Sequence, residues 1–219
     1  MNYIKEREEL VEYGKLMSTE GLSSGTSGNL SIYDAEKGLV FITPSGVDYL
    51  KTKPEDIVVM NLEGEIIEGD KKPSSEWHLH TLFYKNKPDA RAVVHTHSVY
   101  CTTFSSLRMP IYPVHYVIAD ANTSEVPCAK YERYGTEKLA KAAVEASGKS
   151  NAVLLANHGL VVCGKNLKSA YGLAKEMEYV AEIQYRAMSI GKPVFLTDEE
   201  MEEVAEGFKT YGQAQKKDW

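Results

Sequence analysis

Short β-branched runs alternate with longer stretches of helical periodicity along this chain, and that alternation limits its possible folds more than any other feature. LVFIT at 39–43 and IVVM at 57–60 are separated by Thr-Pro-Ser-Gly at 43–46 and followed by Glu-Gly pairs at 63–64 and 68–69, the pattern of strands joined by tight turns. ARAVVHTHS at 90–98 reads as a further strand, and NAVLLANHGLVVCG at 151–164 as two strands meeting at His158-Gly159. Helical spacing marks Tyr3 to Ser18, which runs into Gly21, and EWHLHTLFYKN at 76–86, with Ser74 as its cap and an end near Lys87-Pro88. It also marks 131–146, the long stretch 167–192, and an acidic segment from Asp198 to about Lys209. Strands and helices interleaved in this order predict a layered α/β domain in which helices cover a central sheet. The 219 residues, 43% of them apolar, suffice for one sizeable core, so a single domain over 1–219 is expected.

Charge and apolar run length narrow the partners. A net charge of −6 disfavours nucleic acid and anionic membrane surfaces and favours a small-molecule substrate. No apolar run approaches the ~20 residues needed to span a bilayer, and the acidic start MNYIKEREEL is unlike a signal peptide, so a soluble, cytoplasmic protein is expected. Cys101, Cys128 and Cys163 are odd in number and widely spaced; they fit neither a disulfide framework nor a thiolate zinc module and read as small buried residues.

The strongest chemical signal is His95-Thr96-His97. Residues two apart on a strand project from one face, so both imidazoles can reach one ion. His78 and His80 have the same spacing on an expected helix, where two positions turn the side chains by about 200° and separate them. His158, at a strand end before Gly159, is a candidate third ligand, although a lone histidine at a strand end is more often an ordinary polar residue; His115 is read as a non-ligand. Three histidines leave a tetrahedral ion one open position, and Glu76 is the candidate to occupy it reversibly. Nitrogen and carboxylate ligands suit zinc and also admit iron, cobalt or manganese; zinc is expected.

Three segments rich in small polar residues can each cradle an anion: Gly25 to Asn29, Thr43 to Gly46, and Ser74-Ser75 at a helix start. None matches a nucleotide-binding pattern, and each alone is equally a turn or a cap.

Taken in order, GTSGNLS, TPSG, PSSEWHLH, AVVHTHS, VHYVIADA, PCAKYERYGT, NHGL and FKTYG resemble the class II aldolase/adducin-head family over nearly the whole chain. The resemblance implies a layered α/β/α fold with a mainly antiparallel central sheet, and one Zn2+ per subunit held by Glu76, His95, His97 and His158. It implies retro-aldol cleavage of L-fuculose 1-phosphate, or a similar ketose 1-phosphate, to dihydroxyacetone phosphate and L-lactaldehyde or a similar aldehyde. Gly28, Asn29, Ser45, Gly46, Ser74 and Ser75 match phosphate-holding positions. Glu76 matches a residue that also moves a proton at the reacting carbon. Tyr116 matches a tyrosine supplied by a neighbouring subunit of a homotetramer with active sites at its interfaces, and Tyr134 and Tyr211 match aromatics at the aldehyde end.

Rival activities within the family are an L-ribulose-5-phosphate 4-epimerase, which carries an aspartate where Glu76 stands, and a methylthioribulose-1-phosphate dehydratase. A non-catalytic, adducin-like binding domain is disfavoured because all four candidate ligands are present.

Overall fold

Eight strands form one sheet in the computed structural model, which describes residues 2–208: β1 (Asn29–Asp34), β2 (Leu39–Ile42), β3 (Val58–Met60), β4 (Ile66–Glu68), β5 (Ala92–Thr96), β6 (Cys128–Ala129), β7 (Ala152–Leu155) and β8 (Gly159–Gly164). Their order across the sheet is β4-β3-β2-β1-β5-β8-β7-β6, and every neighbouring pair is antiparallel except β6 with β7. The central strands β5, β7 and β8 are buried along almost their whole length, as expected for strands covered on both faces.

The helices among the described residues are α1 (Ile4–Thr19), α2 (Trp77–Asn86), α3 (Val99–Leu107), α4 (Glu137–Ser147), α5 (Leu167–Ile190) and α6 (Asp198–Phe208). Alternation along β5 separates two cores. Ala92 and Val94 pack with Leu10 of α1, Phe104 of α3, Met177 of α5 and Met201 of α6. Val93 packs instead with Leu79 and Phe83 of α2 and Leu139 of α4. Helices therefore cover both faces, the α/β/α arrangement expected from the chain. None of the described helices is long and apolar enough to cross a membrane.

Several local expectations shift. The helix foreseen over 131–146 starts only at Glu137, because Gly135 adopts φ +70° and the Thr136 hydroxyl caps Leu139 N–H at 3.3 Å. Helix α2 starts at Trp77 with Glu76 in the capping position, while the Ser74 hydroxyl accepts from the Glu76 N–H at 3.2 Å. His97 stands one residue beyond β5 rather than inside it. Cys101 and Cys163 are buried thiols as expected, whereas Cys128 is only half-buried.

Candidate metal centre

The sheet order brings the ends of β1, β5 and β8 side by side, and the three histidines meet there. His95 pairs in register with Asn29 of β1 and Val161 of β8 and is fully buried. Its Nδ1 lies 2.9 Å from the Leu160 carbonyl, so the neutral ring carries its proton on Nδ1 and turns a lone pair on Nε2 inward. His158 sits on the turn from β7 to β8, where Asn157 takes φ +56° and the His158 N–H donates to the Leu155 carbonyl at 3.0 Å. A Cβ on Gly159 would collide with the Thr96 carbonyl. That absence of a side chain lets β8 start against the end of β5 and sets His158 beside His97. The three rings stand edge to face, with centroids 4.8–4.9 Å apart and planes 72–77° from one another.

Glu76 closes the group from the start of α2. Its Oε2 is 3.1 Å from His95 Nε2 and accepts from Asn29 Nδ2 at 3.0 Å. Its Oε1 is 3.5 Å from His158 Nε2, buried and without a hydrogen-bond partner. Burial by itself raises the Glu76 carboxyl, but the charge and hydrogen bond of His95, followed by His158 and Asn29, outweigh it and hold the group far below the usual carboxylate range. Burial and the charge of His95 push His97 down to about 3 and His158 down to about 4, so these rings are neutral and able to ligate. Burial lowers His95 as well, yet the facing Glu76 carboxylate reverses the direction and raises it.

The ligand atoms of His95, His97 and His158 lie within 4.8 Å of one another and could hold a metal ion, and the buried, partnerless Oε1 of Glu76 beside them is an atom that a cation would satisfy. The donor set fits a divalent metal: His95, His97 and His158 could supply three nitrogen ligands, and the Glu76 carboxylate lies beside them.

A cleft of about 320 Å³ opens beside these residues and answers what spacing left open: the three small-residue segments converge. Gly28, Asn29, Ser45, Gly46, Ser74 and Ser75 all line it together with Glu76, His97 and His158. The second and third segments are tied together by Ser45 N–H to the Lys72 carbonyl and Ser74 N–H to the Thr43 carbonyl, both 3.0 Å. Gly28 adopts φ +73°, and a Cβ there would meet the Ser23 hydroxyl and the His95 carbonyl. Among the described residues no lysine or arginine lines the cleft, so an anion there would depend on N–H and hydroxyl donors and on the N-terminus of α2.

Of the expected tyrosines, Tyr134 lines the cleft from an exposed position. Tyr116 does not line it within one chain; half exposed, it begins a 3-10 turn over Tyr116–Ala121 and stacks on His115 at 4.7 Å. Tyr211 lies outside the described residues. His115 Nδ1 accepts from the Val117 N–H at 3.4 Å, and its ring packs edge-on against Tyr179 of α5. Sequence reasoning missed Tyr131, Glu132 and Asn157 in the cleft wall, and it missed the support behind Glu76. The signal for that support was present: Glu76, His80 and Tyr84 recur every four residues, and Asn29 and Ser31 alternate along one strand face.

Comparison with known proteins agrees with this geometry. The model of the family described as Class II Aldolase and Adducin N-terminal domain matches residues 8–185, and the chain belongs to that family. It is a class II aldolase, a metal-dependent carbon–carbon lyase by class. Among its relatives, a 5-deoxy-D-ribulose 1-phosphate aldolase of Bacillus thuringiensis serovar kurstaki is 51% identical over 95% of this chain and 98% of its own length. An L-fuculose phosphate aldolase of Escherichia coli K12 is 43% identical over 90% of each chain. A solved structure of an L-fuculose 1-phosphate aldolase superposes with a TM-score of 0.91 at 45% identity, covering 94% of this chain and 96% of the other.

Proposed function

We propose that this chain is a zinc-dependent aldolase that breaks the C3–C4 bond of a ketose 1-phosphate, giving dihydroxyacetone phosphate and a short aldehyde. The observation that supports the reading is the placement of Glu76, whose carboxylate faces His95 and His158 and, next to Ser75, lines the wall of the small-residue cleft. A phosphate held there on C1 would leave C3, two carbons further along the substrate, on the side of this carboxylate. Gly28, Asn29, Ser45, Gly46, Ser74 and Ser75 hold the phosphate through N–H and hydroxyl donors. Glu76 exchanges the proton at the carbon that becomes the hydroxymethyl end of the ketone product. When bound, zinc supplies Lewis acidity for the negative charge that develops as the bond breaks. Tyr116 of a neighbouring copy in a homotetramer serves the aldehyde oxygen, and Tyr134 and Tyr211 line the aldehyde end.

For the substrate we favour 5-deoxyribulose 1-phosphate, on the support of the 51% identical relative. L-Fuculose 1-phosphate, the expectation from sequence, is the second reading, supported by relatives at 43% and 45% identity. Cleavage would release acetaldehyde from the first and L-lactaldehyde from the second. One CHOH group separates these products, a difference that an apolar pocket discriminates by only ~1–3 kcal/mol.

The test supplies each ketose phosphate to zinc-loaded protein and couples dihydroxyacetone phosphate to glycerol-phosphate dehydrogenase. Zinc-dependent loss of NADH with a higher kcat/KM for the deoxypentulose is the expected result. A higher kcat/KM for L-fuculose 1-phosphate reverses the substrate order. Absence of triose phosphate from both overturns the aldolase reading and directs the assay to epimerisation or dehydration.

A further inference from the structure

A continuous chain of hydrogen bonds runs from the core between the sheet and α2 to the carboxylate of Glu76. Tyr84 Oη lies 2.5 Å from Ser31 Oγ, and Ser31 Oγ lies 2.6 Å from His80 Nδ1. His80 Nε2 lies 2.5 Å from Asn29 Oδ1, and Asn29 Nδ2 donates to Glu76 Oε2 at 3.0 Å. Ser31 and His80 are fully buried, and Asn29, Tyr84 and Glu76 are nearly so.

The chemistry of the last link fixes the direction of all the others. Of the two ends of the Asn29 carboxamide only the NH2 can donate, so it faces Glu76 and the oxygen faces His80. That oxygen accepts, so His80 Nε2 carries the proton and Nδ1 has the lone pair. Ser31 must then donate to Nδ1, and Tyr84 must donate to Ser31. A neutral His80 satisfies every link with one proton, and burial, followed by the charge of His95, pushes its pKa down to about 3. No other polar contact at His80 competes with this arrangement.

We propose that His80 is a positioning residue for Glu76: by holding Asn29 in one amide orientation it keeps Oε2 on the Asn29 side and leaves Oε1 facing His158 and the cleft. Without the His80 donor, the Asn29 amide is free to turn over and set its oxygen against the carboxylate, which would drive Glu76 out of place. Sequence spacing excluded His80 as a ligand paired with His78; the structure gives it a task one layer behind the ligands. The catalytic consequence rests on the proton role of Glu76 proposed above, whereas the consequence for metal affinity does not.

The experiment compares full-length wild type with H80F, H80Q and S31A, each alone and combined with E76Q. Zinc affinity is read by chelator competition, cleavage by kcat and KM, and folding by Tm. H80F keeps a ring of similar volume without a donor. In H80Q the amide NH2 stands near the place of Nε2 and restores the donor, while S31A removes the hydroxyl that keeps the proton on Nε2. H80F is expected to weaken zinc binding and lower kcat at least tenfold each, with KM changed less than threefold. S31A is expected to move both the same way by a smaller factor, and H80Q to recover most of both. In the E76Q background H80F should change zinc affinity less than twofold, because the residue it acts through no longer carries the carboxylate. Wild-type zinc affinity in folded H80F, or an equal loss with and without E76Q, overturns the proposal. If H80F does not fold, S31A with and without E76Q takes its place, and the same two outcomes overturn the proposal. If wild type cleaves neither ketose phosphate, the aldolase reading fails, and the zinc cycle still decides the coupling of His80 to Glu76.

Discussion

His95 Nε2 faces Glu76 Oε2 at 3.1 Å while His95 Nδ1 is committed to the Leu160 carbonyl at 2.9 Å. In a neutral ring this arrangement sets a lone pair against a carboxylate, so either a proton or a metal ion must occupy the gap. Metal-free protein therefore needs an imidazolium that the loaded protein does not, and zinc should bind only the folded chain. Saturating zinc at one hundred times its Kd would stabilise the fold by about 2.7 kcal/mol. Chelation should lower Tm and abolish cleavage together, and added zinc should restore both. A Tm unaffected by zinc would show that the four groups do not form a binding site.

Among the described residues no lysine or arginine lines the cleft to meet an anion, so a single added negative charge should be felt strongly. S75D places a carboxylate at the start of α2, beside the proposed phosphate site. Its KM for a ketose 1-phosphate is expected to rise more than tenfold while zinc content stays at one per chain. An unchanged KM would place the phosphate elsewhere.

Gly28 combines a left-handed backbone with contacts that leave no room for a methyl group. G28A is expected to lose about 1–3 kcal/mol from backbone strain alone. The obstructing atoms are the Ser23 hydroxyl and the His95 carbonyl, so the substitution should also displace His95 and weaken zinc binding, measurable by chelator competition alongside chemical denaturation.

Arg7 on α1 is almost fully buried and donates to the carbonyls of Asn2, Pro54 and Ile57 and to Glu68 Oε1 at 2.7 Å. It ties the N-terminal helix to the edge of the sheet near β3 and β4. R7A leaves the buried Ile57 carbonyl without its side-chain donor and Glu68 without its partner, and should cost about 2–4 kcal/mol in urea denaturation. Zinc affinity should remain unaltered, because nothing at the metal centre touches Arg7.

Glu176 on α5 lies at a separate cavity of about 850 Å³ whose wall includes Asp120. Burial, then hydrogen bonding to and repulsion from Asp120, push its pKa up to about 7. A carboxyl raised in the folded state contributes stability that is complete below its unfolded value near 4.5 and is lost as pH rises through 7. E176Q, which cannot ionise, should melt at the same temperature as wild type at pH 5 and at a higher one at pH 8. Parallel Tm profiles for the two proteins would exclude the carboxyl pair as the cause.

Much of the architecture is legible in the chain because periodicity is local. Short β-branched runs marked β2, β3, β5, β7 and β8 and a period near 3.6 marked α1, α2, α4, α5 and α6, all with shifted ends, whereas β1, β4 and β6 went unread. The shifts follow from caps and turns that pattern alone does not resolve. Gly135 stops helical geometry ahead of α4, and Glu76 caps α2 where Ser74 was expected. Helix α3 has no counterpart in the sequence reading, since VYCTTFSSL lacks a polar face sharp enough to announce itself.

What the sequence determined by itself was chemistry within reach of a few residues: two histidines two apart, a glutamate after two serines, and glycines where the backbone turns left. Which of these meet was decided by tertiary structure. Glu76, His95 and His158 are joined only because β1, β5 and β8 lie adjacent and α2 begins over their ends. The same packing selected between two histidines that spacing could not rank: His78 stacks on Trp77, while His80 turns into the core to meet Ser31 and Asn29. Strand order and register are set by burial of both sheet faces against helices distant in sequence, a free-energy balance over the whole chain that no local window contains.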